Sequence, residues 1–82
     1  IFQLSFVTNK DFNDEIFSKI LVTLNKNCKE IDFISMSSEK NDTSIHFEVH
    51  PNSIQSISKI NKEFKNVKNC KIIFSRKNNI SL

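Results

Sequence analysis

Thr43-Ser44-Ile45-His46-Phe47-Glu48-Val49, followed by His50 and Pro51, is the stretch that decides the fold. Ile45, Phe47 and Val49 fall on one side of an extended chain, and His46, Glu48 and His50 on the other. That period of two marks a strand with one face in a core and one toward water. Pro51 has no amide to donate to a ladder and stops the strand. Asn52 or Ser53 then caps a helix whose apolar residues Ile54, Ile57, Ile60, Phe64 and Val67 recur every three or four positions. This helix is expected to end around residues 66–69. A last strand follows over Lys71–Ser75, around Ile72, Ile73 and Phe74, and Arg76–Leu82 reads as a polar tail.

Upstream of Thr43 the polar run Glu39-Lys40-Asn41-Asp42 reads as a hairpin turn. Before it, Glu30–Ser37 is a strand with Ile31 and Phe33 on one face and Ile34 and Met36 on the other. Further back, Ile16, Phe17, Ile20, Leu21 and Leu24 form one helical face, with Ser18, Lys19, Thr23 and Lys26 opposite. Asp11 or Asn13 is the expected N-cap, because a short side-chain oxygen can accept from the first-turn amides. Asp14 and Glu15 stand where the helix dipole favours negative charge. Asn27 is the candidate left-handed C-cap. The chain opens with a strand over Ile1–Thr8, in which Phe2, Leu4 and Phe6 alternate with Gln3 and Ser5.

The element order is therefore β-α-β-β-α-β. Two helices on one face of a four-stranded antiparallel sheet make an α+β, ferredoxin-like fold. Right-handed crossovers give the strand order 4-1-3-2, with Glu30–Ser37 as an edge open to another chain. Residues 1–82 are expected to be one domain, since a chain of this length supports a single modest core.

Composition excludes several function classes. The sequence contains no Gly, so it has no Gly-rich phosphate loop, dinucleotide fingerprint or nucleophile elbow. Two Cys and two His do not make a zinc-finger pattern. No apolar run approaches the length of a membrane span, and Ile1–Phe6 is too short for a signal peptide. The net charge of +3 comes from dispersed Lys, so nucleic acid is not an expected partner. Ala is absent too, and Lys far outnumbers Arg, as AT-rich coding would produce.

The chemistry-bearing residues read mostly as structural. His46, Glu48 and His50 share a strand face, where imidazole and carboxylate could hold a metal. No further ligand is placed by the sequence, so a solvated sheet face is the simpler reading and no metal site is expected. Cys28 and Cys70 close helices whose C-terminal ends lie at opposite ends of the sheet, too far apart for a disulfide. Two free thiols suit a reducing, cytoplasmic compartment. Asp11, Asp14 and Glu15 read as capping residues rather than catalytic ones. No spacing brings a nucleophile to a base, so no catalytic residue is expected. RNA-binding sheets of this fold carry a basic, Gly-containing aromatic segment on the third strand. Thr43–Val49 lacks it, and Phe47 belongs to the core face.

Phe12-Asn13-Asp14-Glu15, Ile20-Leu21 and Ile31-Asp32-Phe33-Ile34-Ser35-Met36 together resemble an ACT domain. The resemblance is nearest to the short small subunits of acetolactate synthase. In that family a similar F-N-P-E segment opens helix one, and a strand ending in M-x-M follows a Gly-ended helix. Asp14 stands at the Pro position and Cys28 near the Gly position. Ile45–Val49, Pro51, Ser53 and Ile60-Asn61-Lys62 resemble the family's third strand and second helix. The similarity spans roughly residues 3–73.

The resemblance implies a non-catalytic regulatory subunit in branched-chain amino-acid synthesis, without a cofactor of its own. Its partner would be the large subunit, which carries thiamine diphosphate, FAD and magnesium. It also implies a homodimer, here through the edge strand and its residues Ile31, Phe33, Ile34 and Met36. Effector-binding ACT domains place a Gly just inside helix one, so that a ligand carboxylate can approach the backbone amides. Glu15 matches that position, which argues against valine feedback, while Asn9, Asp11 and Asn13 are the candidate residues of an effector site built on the loop amides. A stand-alone amino-acid sensor and a single-stranded RNA-binding domain are the other readings.

Overall fold

The computed structural model of the chain describes residues 2–9, 13–68 and 70–76. Its elements are β1 (Phe2–Thr8), α1 (Asp14–Asn27), β2 (Cys28–Glu39), β3 (Asp42–Pro51), α2 (Gln55–Phe64) and β4 (Cys70–Arg76). The strands form one antiparallel sheet in the order β2-β3-β1-β4, as the crossover argument requires. The β-α-β-β-α-β order is the ferredoxin-like one. Arg76, placed in the tail by the sequence, instead closes β4 opposite Phe2. The rest of the expected tail, 77–82, lies outside the described residues.

One face of the sheet makes the core. Leu4 and Phe6 of β1 lie between Phe47 and Ile45 of β3 and Phe74 and Ile72 of β4. Ile20 and Leu24 of α1 and Ile60 and Phe64 of α2 close over them. Phe6 meets Phe47 edge-on at 5.9 Å and Phe64 at 5.2 Å between ring centroids. Both are inside the range where aromatic quadrupoles attract. The alternation read in Thr43–Val49 is borne out: Ile45, Phe47 and Val49 are buried and their neighbours are not.

Both helices differ from expectation at particular positions, and α2 ends at Phe64, short of Val67 and of the expected end at 66–69. Thr23 is buried with Ile20 and Leu24, because it lies three residues beyond Ile20 on the same stripe. In α2 the buried stripe is Ser56, Ile60 and Phe64, four residues apart. Ile54 precedes the helix and is 94% exposed, so it is not part of the helical face.

The caps carry the larger correction. Asn13 is the N-cap of α1, its side chain accepting from the Ile16 amide at 3.0 Å. Asp11, the other candidate, lies outside the described residues. At the other end no left-handed residue is used. Asn27 stays helical, its side-chain Nδ2 donating to the Thr23 carbonyl at 2.8 Å, and Cys28 is already extended at φ −131°. The helix runs straight into β2. The backbone amide of Asn52 donates to the Asn27 carbonyl at 2.9 Å, and its side chain to the Lys26 carbonyl at 3.4 Å. Asn52 therefore serves the C-terminal end of α1 and does not cap α2. Nor does Ser53: α2 begins after Ile54 with no side-chain cap. Ser53 instead makes a one-turn pair with Ser56, whose hydroxyl accepts from the Ser53 amide at 3.1 Å.

The β2–β3 hairpin turns tightly through Lys40 and Asn41, with Glu39 opposite Asp42. Lys40 takes a positive φ of 50°, the conformation glycine normally supplies.

Candidate functional site

Among the described residues, three places have features beyond packing: the start of α1, the edge strand β2 and the open face of the sheet.

At the start of α1, Asn13, Asp14 and Glu15 are all exposed. The Asn13 side chain is occupied with the cap, and its carbonyl accepts from Phe17 at 3.1 Å. The remaining first-turn amides would suit an anion. Two carboxylates, Asp14 and Glu15, already occupy that field, so an incoming carboxylate meets negative charge. Asn9 follows β1 and is half-buried. The loop from Asn9 to Asn13 passes through residues that are not described.

The edge strand β2 pairs only with β3 among the described residues. Its ladder breaks register between Phe33 and Ser35: Phe33 faces Phe47, Ser35 faces His46, and Ile34 is the extra residue. This β-bulge reverses the side-chain alternation beyond it. Ile31, Phe33 and Met36 consequently face Val49, Phe47 and Ile45 on the helix side. A regular period of two puts Met36 on the face of Ile34, and the bulge overturns that pairing. Ile34 lines a depression on the open face with Gln3, Ser5, Ser35 and His46.

These apolar residues do not sink into the core. Phe33 stacks edge-on against Phe47 at 5.8 Å, yet Phe33 is 53% exposed, Ile34 53% and Met36 46%. Only Ile31 of the four is half-buried. The sheet edge thus presents apolar side chains on both faces of a strand whose outer side pairs with no other strand among the described residues.

On the open face, Ser5 of β1 stands directly opposite His46 of β3, and its hydroxyl is 2.7 Å from Nδ1. No spacing signal announces this pair, which the β1–β3 register creates across 41 residues. The bond orients the imidazole. It does not make a hydrolytic centre, because an oxyanion needs free donors nearby. Ser5 lies on the strand whose backbone is paired on both sides, to β3 and to β4. Glu48 faces Gln3 and Asp32, and His50 faces Glu30. Among the described residues no group of three or more His, Cys, Asp or Glu is placed to hold a metal ion.

Cys28 and Cys70 are free thiols. Cys28 faces Pro51 at one end of the sheet, and Cys70 faces Thr8 at the other. Burial raises the pKa of both above the ordinary value of 9.0, so neither has the depressed pKa of a reactive thiolate. Among the described residues no helix is long and apolar enough to cross a membrane.

No family model matches the sequence, and no curated protein matches it. Among solved structures, the ACT domain from GTP pyrophosphokinase of Chlorobium tepidum superposes with a TM-score of 0.58 at 6% identity. The match covers 92% of this chain and 97% of that one. At that identity the likeness concerns architecture alone. The chain has an ACT-like, ferredoxin-like fold.

Proposed function

We propose that the chain is a small ACT-type regulatory domain, and specifically an activating small subunit of acetolactate synthase. Its localisation in this reading is cytoplasmic, and catalysis belongs to the large subunit with its thiamine diphosphate, FAD and magnesium. The observation that carries the regulatory reading is the ACT-like fold joined to an edge strand whose apolar residues are left exposed. The small-subunit reading rests on the residues that resemble that family, from Phe12-Asn13-Asp14-Glu15 to Ile60-Asn61-Lys62.

In this reading the domain pairs with a second copy through β2 and stabilises the competent conformation of the catalytic subunit. It can do so only by binding that conformation more tightly than others. Feedback by an amino acid is not part of the role, because Asp14 and Glu15 fill the field at the start of α1 that a ligand carboxylate would need.

Reconstitution tests the proposal. An acetolactate synthase large subunit from the same genome is assayed for pyruvate condensation with and without this chain. Raised activity and firmer cofactor retention are expected. Unchanged activity and retention would overturn the small-subunit role. Calorimetric titration with valine, isoleucine and leucine addresses the sensor reading; no heat is expected, and saturable heat would replace the activator with an amino-acid sensor.

A further inference from the structure

We propose that the bulge at Ile34 sets the register of the dimer, with the two-fold axis passing between Ile34 and Ser35 of two antiparallel β2 strands. The inference rests on the dimer in the reading above and names its geometry.

The bulge divides β2 into two halves whose faces are out of step. Before the bulge, Ile31 and Phe33 are on the helix side and Glu30 and Asp32 on the open side. After it, Met36 and Ser38 are on the helix side and Ser35 and Ser37 on the open side. A regular strand laid along this edge is in step over one half and out of step over the other. That mismatch is why bulged edges discourage foreign pairing. A second copy running antiparallel carries the same bulge at the same distance from the axis, so its faces change step at the same place.

Only some registers use this. If Ile34 faced Ile34 of the second copy, Lys29 would meet Glu39, but Asp32 would meet Met36 from the opposite face. Moving the axis half a residue corrects every pair. Ile34 then faces Ser35 and Asp32 faces Ser37 on the open side. Phe33 faces Met36 and Ile31 faces Ser38 on the helix side. Two Phe33 and two Met36 side chains, each about half exposed in the single chain, come together in one apolar cluster. An isologous interface requires this self-complementarity. Glu30 meets Glu39 at each end, a like-charge contact that salt screens.

Cysteine pairs at exposed positions read the register in the full-length chain. Asp32→Cys with Ser37→Cys marks the proposed axis, Asp32→Cys with Met36→Cys the axis through Ile34, and Asp32→Cys with Ser35→Cys an axis between Phe33 and Ile34. Within one extended strand none of these pairs lies within the ~7 Å Cα limit of a disulfide, so a bridge reports the second copy. The two native thiols are buried or half-buried and serve as the background in the unsubstituted chain. Mild oxidation is expected to convert the first variant to covalent dimer and leave the other two monomeric on a non-reducing gel.

A covalent dimer from either of the other variants in preference to the first would overturn the register. So would a monomeric unsubstituted chain in sedimentation equilibrium. Circular dichroism confirms that each variant is folded, and Phe33→Cys with Met36→Cys provides a second reading of the same axis from the helix side. The outcome is independent of the small-subunit role, which reconstitution decides, so either can fail while the other stands.

Discussion

Strands β2 and β3 lie side by side in one sheet with similar apolar content, yet they have opposite fates. Ile45, Phe47 and Val49 of β3 are at most 1% exposed, whereas Phe33 and Met36 of β2, on the same face, are 53% and 46% exposed. The difference is position under the helix layer rather than sequence. The buried side chains of α1 and α2 close over those of β1 and β3, and among the described residues β2 adds only Cys28 to that buried cluster. Fully burying such side chains is worth roughly 1.5–3 kcal/mol each. In β3 that stabilisation is already realised in the fold. In β2 about half of it remains available for association.

Substitution should separate the two strands. Phe47→Ala removes a ring that touches Phe6 and Phe33 and should cost about 3–5 kcal/mol in urea unfolding. Phe33→Ala, under dilute monomeric conditions, should cost about 1 kcal/mol, since half of its surface is never buried there. Equal losses would mean that the core holds β2 as firmly as β3.

Ile34→Lys should act in the reverse sense. A charge beside the proposed axis should dissociate the dimer in sedimentation, while dilute-chain stability changes by less than about 1 kcal/mol. A dimer that persists would move the interface to another surface.

The start of α1 offers a smaller effect. Asn13→Ala removes the cap to Ile16 and should lower stability by about 1 kcal/mol, leaving dimerisation unchanged. Alkaline pH should act more gradually. Burial raises the pKa of both thiols, so above the ordinary value of 9.0 the unfolded chain loses protons that the native chain keeps. Stability should therefore be fully retained below pH 9 and decline as pH rises through the higher native values. Thermal melts from pH 8 upward should show the decline, and Cys28→Ser should flatten it. The smallest change expected is a gain. Lys40→Gly relieves a positive φ in the β2–β3 turn and should stabilise by about 0.5 kcal/mol.

The fold was legible because its signals are periodic. The alternation of Ile45, Phe47 and Val49 and the four-residue spacing of Ile60 and Phe64 each specify an element and its buried face. What was not legible depends on partners distant in sequence. Asn52 looks like a helix N-cap locally, but its donors reach Lys26 and Asn27 of another helix. The Ser5–His46 pair exists only through the β1–β3 register. A strict period of two puts Met36 on the wrong face, because one extra residue, Ile34, resets the alternation without any Gly to announce it. Glu15, read from the sequence as an obstacle to an anionic effector, is exposed at the start of α1, and ligand titration is what tests that role.

Sedimentation equilibrium of the unsubstituted chain, beside Ile34→Lys over the same concentrations, tests most directly whether the exposed edge is an interface. A two-fold mass for the unsubstituted chain and a single-chain mass for the variant are predicted. One single-chain mass for both proteins would contradict the assignment of β2 to association.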